Sequence, residues 1–241
     1  LLVRVIEEEA ELRRYHELVQ ADWMAQAMVP YNTEVGVFYV RHPNEKKGEI
    51  VGLNEKVPLS VVGDGKSTVG ALVVSDERTL EFEKEIFEKQ EKNWDKVPAK
   101  GEFFQLIFTG NRKNGAKLVE RHNEVDDELL ALFDKFSHYK DGIFYGRYDI
   151  KCESLESLRK GEKYSILEFN AVHSGYGHLY HCGKKPMEVY KEVHRLWNIL
   201  YDICVAHHKK GAPYMPFFKG WKFVIDSLRT FKKLSKWEKE L

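Results

Sequence analysis

Three oxygen-bearing side chains lie near the ends of two strand-like runs in the second half of the chain. Ile143–Ile150 carries Asp149, and Tyr164–Asn170 carries Glu168 and Asn170. Because side chains alternate between the faces of a strand, Glu168 and Asn170 share a face, and Asp149 joins them if the two runs pair. Carboxylate and amide oxygens are the ligands that Mg²⁺ prefers, so a magnesium site is one interpretation. The polar edge of an ordinary hairpin is the other, and composition alone favours it.

The overall charge and the cysteine spacing restrict the class of protein. Among 241 residues, 38 Lys and Arg balance 38 Asp and Glu, so no global field attracts nucleic acid or an anionic membrane. No apolar run reaches the roughly 20 residues that an integral membrane helix needs. Three widely spaced cysteines favour reduced thiols over a disulfide framework, so we expect a cytoplasmic protein. The sequence opens at Leu1 as if already inside a domain, so we expect a piece of a longer chain.

Apolar periodicity predicts a mixture of strands and helices around these residues. The predicted strands are Leu1–Ile6, Glu34–Arg41, Glu49–Leu53, Ile143–Ile150 and Tyr164–Asn170. The predicted helices are Glu7–Gln20, Glu77–Lys92, Asp126–Tyr139, Pro186–His207 and a basic amphipathic tail over Trp221–Leu241. The apolar stripe of Pro186–His207, which includes Trp197 and Cys204, is predicted to be core.

The two runs that carry the oxygen-bearing side chains resemble a known family. The segments GRYDI and ILEFN look like the final two strands of the ATP-grasp ligases, with the D-alanine–D-alanine ligases and cyanophycin synthetases nearest. The resemblance implies an α+β ATP-grasp fold with a mainly antiparallel sheet flanked by helices. It implies that Asp149, Glu168 and Asn170 bind Mg²⁺ against the phosphates of ATP, and that Arg147 stabilises the transferring phosphate.

The segment ADWMAQAMVPYNTEVGVFYV is similar to the hinge and the strand that hold the nucleotide in that family. The resemblance implies that Gln26, Met28 and Val29 lie at the adenine and that Glu34 binds the ribose. Ala27 stands where many members have Glu. Without the resemblance, Glu34 reads as a strand-end acid in solvent.

Two further segments could meet the phosphates. SVVGDGKSTV is not a Walker motif, because position 60 is Ser where that motif needs Gly, and its Gly-Asp-Gly-Lys looks like a turn followed by a helix cap. A nearly identical string occurs in cyanophycin synthetases. The hairpin around TGNRKNG resembles a loop that closes over the triphosphate, which implies a phosphate contact from Arg112 or Lys113. A solvated basic hairpin tip is the alternative for both side chains.

A cluster of His and Cys after the second strand allows a different kind of site. His173, His178, His181 and Cys182 could bind zinc, although their spacing is not a zinc-finger pattern. The alternatives are a substrate-facing loop or plain surface histidines.

Together these observations predict three segments: the end of an N-terminal lobe with its hinge (1–29), a C-terminal lobe with the Mg-ATP site (30–210) and a basic helical tail (211–241). The predicted function is ATP-dependent ligation of a small-molecule carboxylate to an amine, with ATP and Mg²⁺ as cofactors. The rival prediction is a non-catalytic ATP-grasp remnant that binds nucleotide or serves as an interaction module. A homodimer is compatible with both.

Overall fold

The computed structural model describes residues 2–107, 115–139, 142–172, 174–180 and 183–240, and the chain forms two compact units. Residues 1–28 and 208–241 form the smaller unit, and residues 29–207 form the larger one. The predicted segments 1–29, 30–210 and 211–241 stay a prediction about the lobes of an enzyme.

An antiparallel sheet organises the larger unit. In chain order the strands are β1 (Thr33–Val40), β2 (Glu49–Val57), β3 (Ser60–Val62), β4 (Phe103–Gln105), β5 (Lys117–Glu120), β6 (Tyr145–Cys152) and β7 (Tyr164–Asn170). Five of them form one sheet in the order β5-β2-β1-β6-β7, with antiparallel neighbours throughout, and β3 pairs with β4 in a separate ribbon. The predicted α+β class with a mainly antiparallel sheet is confirmed.

Helices lie before, between and after the strands along the chain. They are α1 (Glu9–Leu18), α2 (Val69–Ser75), α3 (Glu77–Leu80), α4 (Glu83–Gln90), α5 (Asp127–His138), α6 (Leu155–Arg159), α7 (Gly177–Tyr180), α8 (Pro186–Lys209) and α9 (Phe217–Glu240). The first turn of α5 shows how short-range interactions stabilise the N-terminus of a helix. Asp126 accepts a hydrogen bond from the Leu129 amide at 2.9 Å, and acidic residues occupy the first turn, where the helix dipole favours negative charge.

One face of the sheet packs against α5 and α6. Val35, Val37 and Tyr39 alternate along β1 and are buried with Leu129 and Phe133, which lie one helical turn apart on α5. This core fixes β1 and β6 side by side, and it leaves the alternate residues of both strands to face the other way.

The opposite face packs against α7 and α8 over part of its length. Phe38 and Val40 on β1 contact a cluster that includes Leu179 of α7 with Leu196 and Ile203 of α8. Farther along the same face, beyond the contacts with α7 and α8, the side chains of β1 and β6 that alternate with the buried apolar ones are polar or charged. The candidate site lies there.

Several sequence predictions need correction. Residues 2–6 form no strand. The helix predicted over Glu77–Lys92 is interrupted at Phe82, whose backbone leaves the helical region, and both Phe82 and Ile86 then reach the core beneath the β3–β4 ribbon. Trp197 and Cys204 of α8 are exposed, because Leu196 and Ile203 supply the buried face of that helix.

The Gly-Asp-Gly-Lys segment forms the predicted turn and cap. Asp64 accepts hydrogen bonds from the amides of Lys66 and Ser67, each at 2.7 Å, and Gly65 takes a positive φ of 77°. Thr68 then caps α2 by accepting from the Ala71 amide at 3.1 Å. This segment is a structural turn whose own side chains satisfy its backbone.

Candidate active site

The register of β6 and β7 brings the predicted metal ligands together. Asp149 lies opposite Glu168, and Arg147 lies opposite Asn170. Leu167 is an extra residue on β7 between the positions that pair with Asp149 and Ile150, so the ladder shifts there by one. Because of this bulge, Glu168 rather than Leu167 faces Asp149 across the hairpin.

Gly146 allows the two strands to approach each other beside this pair. A Cβ atom at Gly146 would lie 2.5 Å from the backbone oxygen of Asn170, which is too close for any side chain. The glycine of the Gly-Arg-x-Asp run is therefore required by the strand pairing that positions Arg147 and Asp149.

Hydrogen bonds connect the four side chains directly. Arg147 donates from Nε and Nη2 to the two oxygens of Asp149, at 2.8 and 2.9 Å. Asn170 donates from Nδ2 to Asp149 at 3.2 Å and to Glu168 at 2.8 Å. The structure thus brings Arg147, Asp149, Glu168 and Asn170 into one connected polar cluster.

Lys56 on β2 and Glu34 on β1 complete this cluster from the other side. Lys56 Nζ lies 2.7 Å from Glu34 Oε1 and 3.2 Å from Asp149 Oδ2. Glu34 and Lys56 are paired across β1 and β2, and both side chains are largely shielded from water. Glu34 is therefore not a strand-end acid in solvent, while its role at the ribose stays a prediction.

Lys56 is a site residue that the sequence prediction missed. The predicted strand stopped at Leu53, whereas β2 continues to Val57. Charge complementarity is the signal that could have found it. Glu34 lies near the start of β1, so in an antiparallel pair it must lie opposite the end of β2, where Lys56 offers the opposite charge.

The charge state of Asp149 follows from these contacts. Asp149 is 2% exposed. Burial by itself opposes ionisation, but the hydrogen bonds from Arg147 and the positive charges of Lys56 and Arg147 outweigh it, so the pKa of Asp149 is lowered. The pKa of Arg147 is raised, since the hydrogen bond and charge of Asp149 outweigh the burial of the guanidinium. Both groups are charged at neutral pH.

The oxygen atoms of Asp149, Glu168 and Asn170 are of the type that binds a hard divalent cation. Two carboxylates and an amide lie within hydrogen-bond reach of one another, and these are magnesium ligands. The Asn170 amide donates toward both carboxylates here, and a half-turn about its final bond would aim its oxygen at the same place. A bound cation would take over carboxylate oxygens that now accept from Arg147, Lys56 and Asn170.

The loop after β7 contacts the cluster and leads to a buried histidine. Arg147 Nη1 donates to the Gly175 carbonyl at 3.2 Å. His178 is 2% exposed beneath β2, where a Cβ atom at Gly52 would overlap its ring. Burial, followed by the positive charge of Lys184, lowers the pKa of His178 to about 4, so its imidazole is neutral.

The described residues leave the zinc interpretation untested. Within them, no group of three or more His, Cys, Asp or Glu side chains could hold a metal ion. His178 is buried among aromatic rings, 5.5 Å from Phe38 between ring centroids. His173, His181 and Cys182 lie outside the described residues.

The remaining predicted nucleotide contacts are not tested. Gln26, Met28 and Val29 lie in a stretch without regular secondary structure. The limit between the two units falls between Met28 and Val29. Arg112 and Lys113 lie outside the described residues.

Comparison with known proteins gives similarity to solved structures. No family model and no curated protein matches the sequence. Among solved structures, the chain is similar to a bifunctional glutathione synthetase from Pasteurella multocida, at 20% sequence identity and a TM-score of 0.41. The match covers 69% of this chain and 24% of that one, so the chain spans about a quarter of that protein's length.

Proposed function

We propose that this chain is part of an ATP-dependent carboxylate–amine ligase of the ATP-grasp type, and that the cluster around Asp149 binds Mg²⁺ and the phosphates of ATP. The observation that carries the proposal is the cross-strand register that sets Asp149 against Glu168 and Arg147 against Asn170. This register joins three oxygen-bearing side chains and a guanidinium on one face of the sheet. Phosphoryl transfer needs such groups, because they bind the metal and stabilise the charge of the phosphates.

Each residue of the cluster has a role in this proposal. Asp149, Glu168 and Asn170 would hold the metal, which supplies positive charge to neutralise the phosphates when bound. Arg147, with Nη1 aimed at the Gly175 carbonyl, would shift its donors toward the transferring phosphoryl group. Lys56 would place a second positive charge on the same face. Glu34, which accepts a hydrogen bond from Lys56, would orient the Lys56 ammonium or accept a hydrogen bond from the ribose.

The reaction follows the chemistry of acylphosphates. An oxygen of the substrate carboxylate attacks the γ-phosphorus and ADP leaves. The amine nitrogen then attacks the acyl carbon, inorganic phosphate leaves, and the nitrogen loses a proton. The substrates proposed are a small carboxylate and an amine such as an amino acid or peptide.

One observation favours a second candidate, a non-catalytic remnant of such a ligase. Asp149 is already neutralised by Arg147 and Lys56, so the cluster is electrostatically satisfied by the protein's own cations. A polar cluster of this kind could stabilise the hairpin without binding a metal.

Titration calorimetry of ATP into the purified chain, with and without Mg²⁺, separates the proposals. Glu168→Ala should weaken magnesium-dependent binding by roughly tenfold or more, because even groups that only hydrogen-bond to a metal ligand change metal affinity by such factors. The matched control is Glu153→Ala, which removes an exposed glutamate from the far end of the same hairpin, where it pairs with Lys163.

The outcomes are distinct. Binding that needs Mg²⁺ and Glu168 but not Glu153, followed by ADP release with an amino acid, would support the ligase. The same binding without turnover on any carboxylate and amine would support the remnant. Binding that is indifferent to Glu168 would contradict the proposed site.

A further inference from the structure

Helix α9 has an amphipathic pattern over its first four turns. On a helical projection, seven apolar side chains fall within an arc of about 140°. They are Phe217, Phe218, Trp221, Val224, Ile225, Leu228 and Phe231. Lys219, Lys222 and Arg229 lie outside this arc, with Asp226, Thr230 and one exposed aromatic ring, Phe223. We call the seven apolar side chains the α9 apolar face.

The α9 apolar face presents large aromatic and aliphatic groups to solvent. Trp221 is 60% exposed and Leu228 is 65% exposed, and Phe217 and Phe231 are exposed as well. The rings of Phe217 and Trp221 lie nearly parallel, with 12° between their planes and 6.5 Å between their centroids. A row of exposed rings this long marks an interaction surface.

Positive charge is concentrated on the same helix. Phe217–Glu240 carries seven Lys and Arg against three Asp and Glu, whereas the whole chain is balanced. Arg229 pairs with Asp226 at 3.4 Å and Lys236 with Glu240 at 3.8 Å. None of the ion pairs formed between described residues includes Lys222, Lys232 or Lys233.

We propose that α9 binds the surface of an anionic lipid bilayer, lying in the plane of the interface with its apolar face among the acyl chains. Aromatic side chains on one face and lysines on the other are the pattern of interfacial helices. Lysines at the border of the arc can extend to the headgroups, where their positive charge is attracted to anionic lipid. Within the described residues no helix is both long and apolar enough to cross a membrane.

A second copy of the helix fits the pattern less well. Phe217, Trp221, Val224, Leu228 and Phe231 have the alternating spacing of four and three that a coiled coil uses. The next two positions of that repeat are Ser235 and Glu238. The apolar seam therefore ends after about two heptads, and a stable coiled coil needs three or four.

Sedimentation of the full chain with lipid vesicles tests the proposal. The chain should bind vesicles of phosphatidylcholine and phosphatidylserine in about a two-to-one ratio, and should bind pure phosphatidylcholine much more weakly. Leu228→Gln removes an apolar side chain without changing the charge, and should weaken binding roughly tenfold or more.

The matched control is Thr230→Gln on the polar side of the same helix. It should leave vesicle binding within about twofold, because Thr230 lies outside the α9 apolar face and its charge is unchanged. Both positions are exposed, so circular dichroism should be the same for the two variants and the parent chain.

Three results would overturn the proposal. One is equal binding of Leu228→Gln and the parent chain, and another is equal binding to neutral and anionic vesicles. The third is failure to bind any vesicle. A concentration-dependent dimer that Leu228→Gln abolishes would then assign the α9 apolar face to a second copy. None of these results bears on ATP binding at Asp149, so the two proposals fail independently.

Discussion

At the scale of single residues, Asp149 links every part of the candidate site. Its oxygens accept hydrogen bonds from Nε and Nη2 of Arg147 and from the Asn170 amide. It also pairs with the Lys56 ammonium and lies opposite Glu168. A buried carboxylate without these partners would be costly and would take up a proton. The same contacts hold Asp149 ionised, and a cation that bound to its oxygens would displace part of them.

His178 carries a prediction about pH. Its folded-state pKa of about 4 lies below the roughly 6.5 of an unfolded histidine, so in the window between them the unfolded chain binds a proton that the folded chain excludes. The free energy of unfolding should therefore fall as the pH is lowered through this window. Between about pH 7 and pH 5 the contribution is about 2 kcal/mol.

Urea unfolding at these two pH values checks this prediction. His178→Phe keeps an aromatic ring beside Phe38 and should remove this part of the pH dependence. His194→Phe, at an exposed position on α8, should leave it intact. An identical loss of stability in the parent chain and His178→Phe would show that His178 is not the responsible group.

At the scale of elements, the β6–β7 hairpin converts a pattern along the chain into a site. Its antiparallel pairing places Arg147 and Asp149, in the first part and the middle of β6, beside Asn170 and Glu168 near the end of β7. The bulge at Leu167 corrects the register by one residue, and Gly146 removes the side chain that would keep the strands apart. The arrangement of the cluster depends on both features, although neither Leu167 nor Gly146 contributes a side chain to it.

Gly146→Ala tests that dependence. The new methyl group would meet the Asn170 backbone oxygen, so the strands must separate or shift, at a cost of about 1 to 3 kcal/mol. The midpoint of urea unfolding measures the cost, and magnesium-dependent ATP binding should weaken with it.

The control for this element is Gly175→Ala, in the loop that contacts Arg147. A Cβ atom there has nothing within 4 Å, and the Gly175 carbonyl that accepts from Arg147 is retained. Its stability should stay within about 0.5 kcal/mol of the parent chain. If Gly146→Ala were as harmless as Gly175→Ala, close strand approach would not be what positions the cluster.

At the scale of the whole molecule, the larger unit contains its own core. Both faces of the sheet carry buried clusters, and a third cluster lies beneath the β3–β4 ribbon. All six side chains of the candidate site also lie within residues 29–207. Such a unit has the apolar core that independent folding requires.

We therefore expect residues 29–207, expressed alone, to unfold in one cooperative transition and to bind Mn²⁺ as a spectroscopic probe of the metal site. Thermal denaturation and paramagnetic resonance of Mn²⁺ measure the two properties. A piece that stays unfolded would show that residues 1–28 or 208–241 are needed for the core.

The sequence by itself determined the local features of this protein. The strand that carries Glu168 and Asn170, the amphipathic helices α5 and α8, and the turn and cap around Asp64 and Thr68 were all predictable, because each depends on side-chain periodicity or on hydrogen bonds between near neighbours. The break at Phe82 was not, because it depends on which core the residue reaches.

The tertiary structure decided which of these residues meet. The pairing of β1 with β2 adds Lys56 to the cluster, and the pairing of β6 with β7 selects Glu168 as the neighbour of Asp149. The packing of α7 against β2 buries His178 and keeps it neutral. Strand register and burial depend on contacts between segments far apart in sequence, whereas periodicity acts within a few residues, so the pattern along the chain could not specify them.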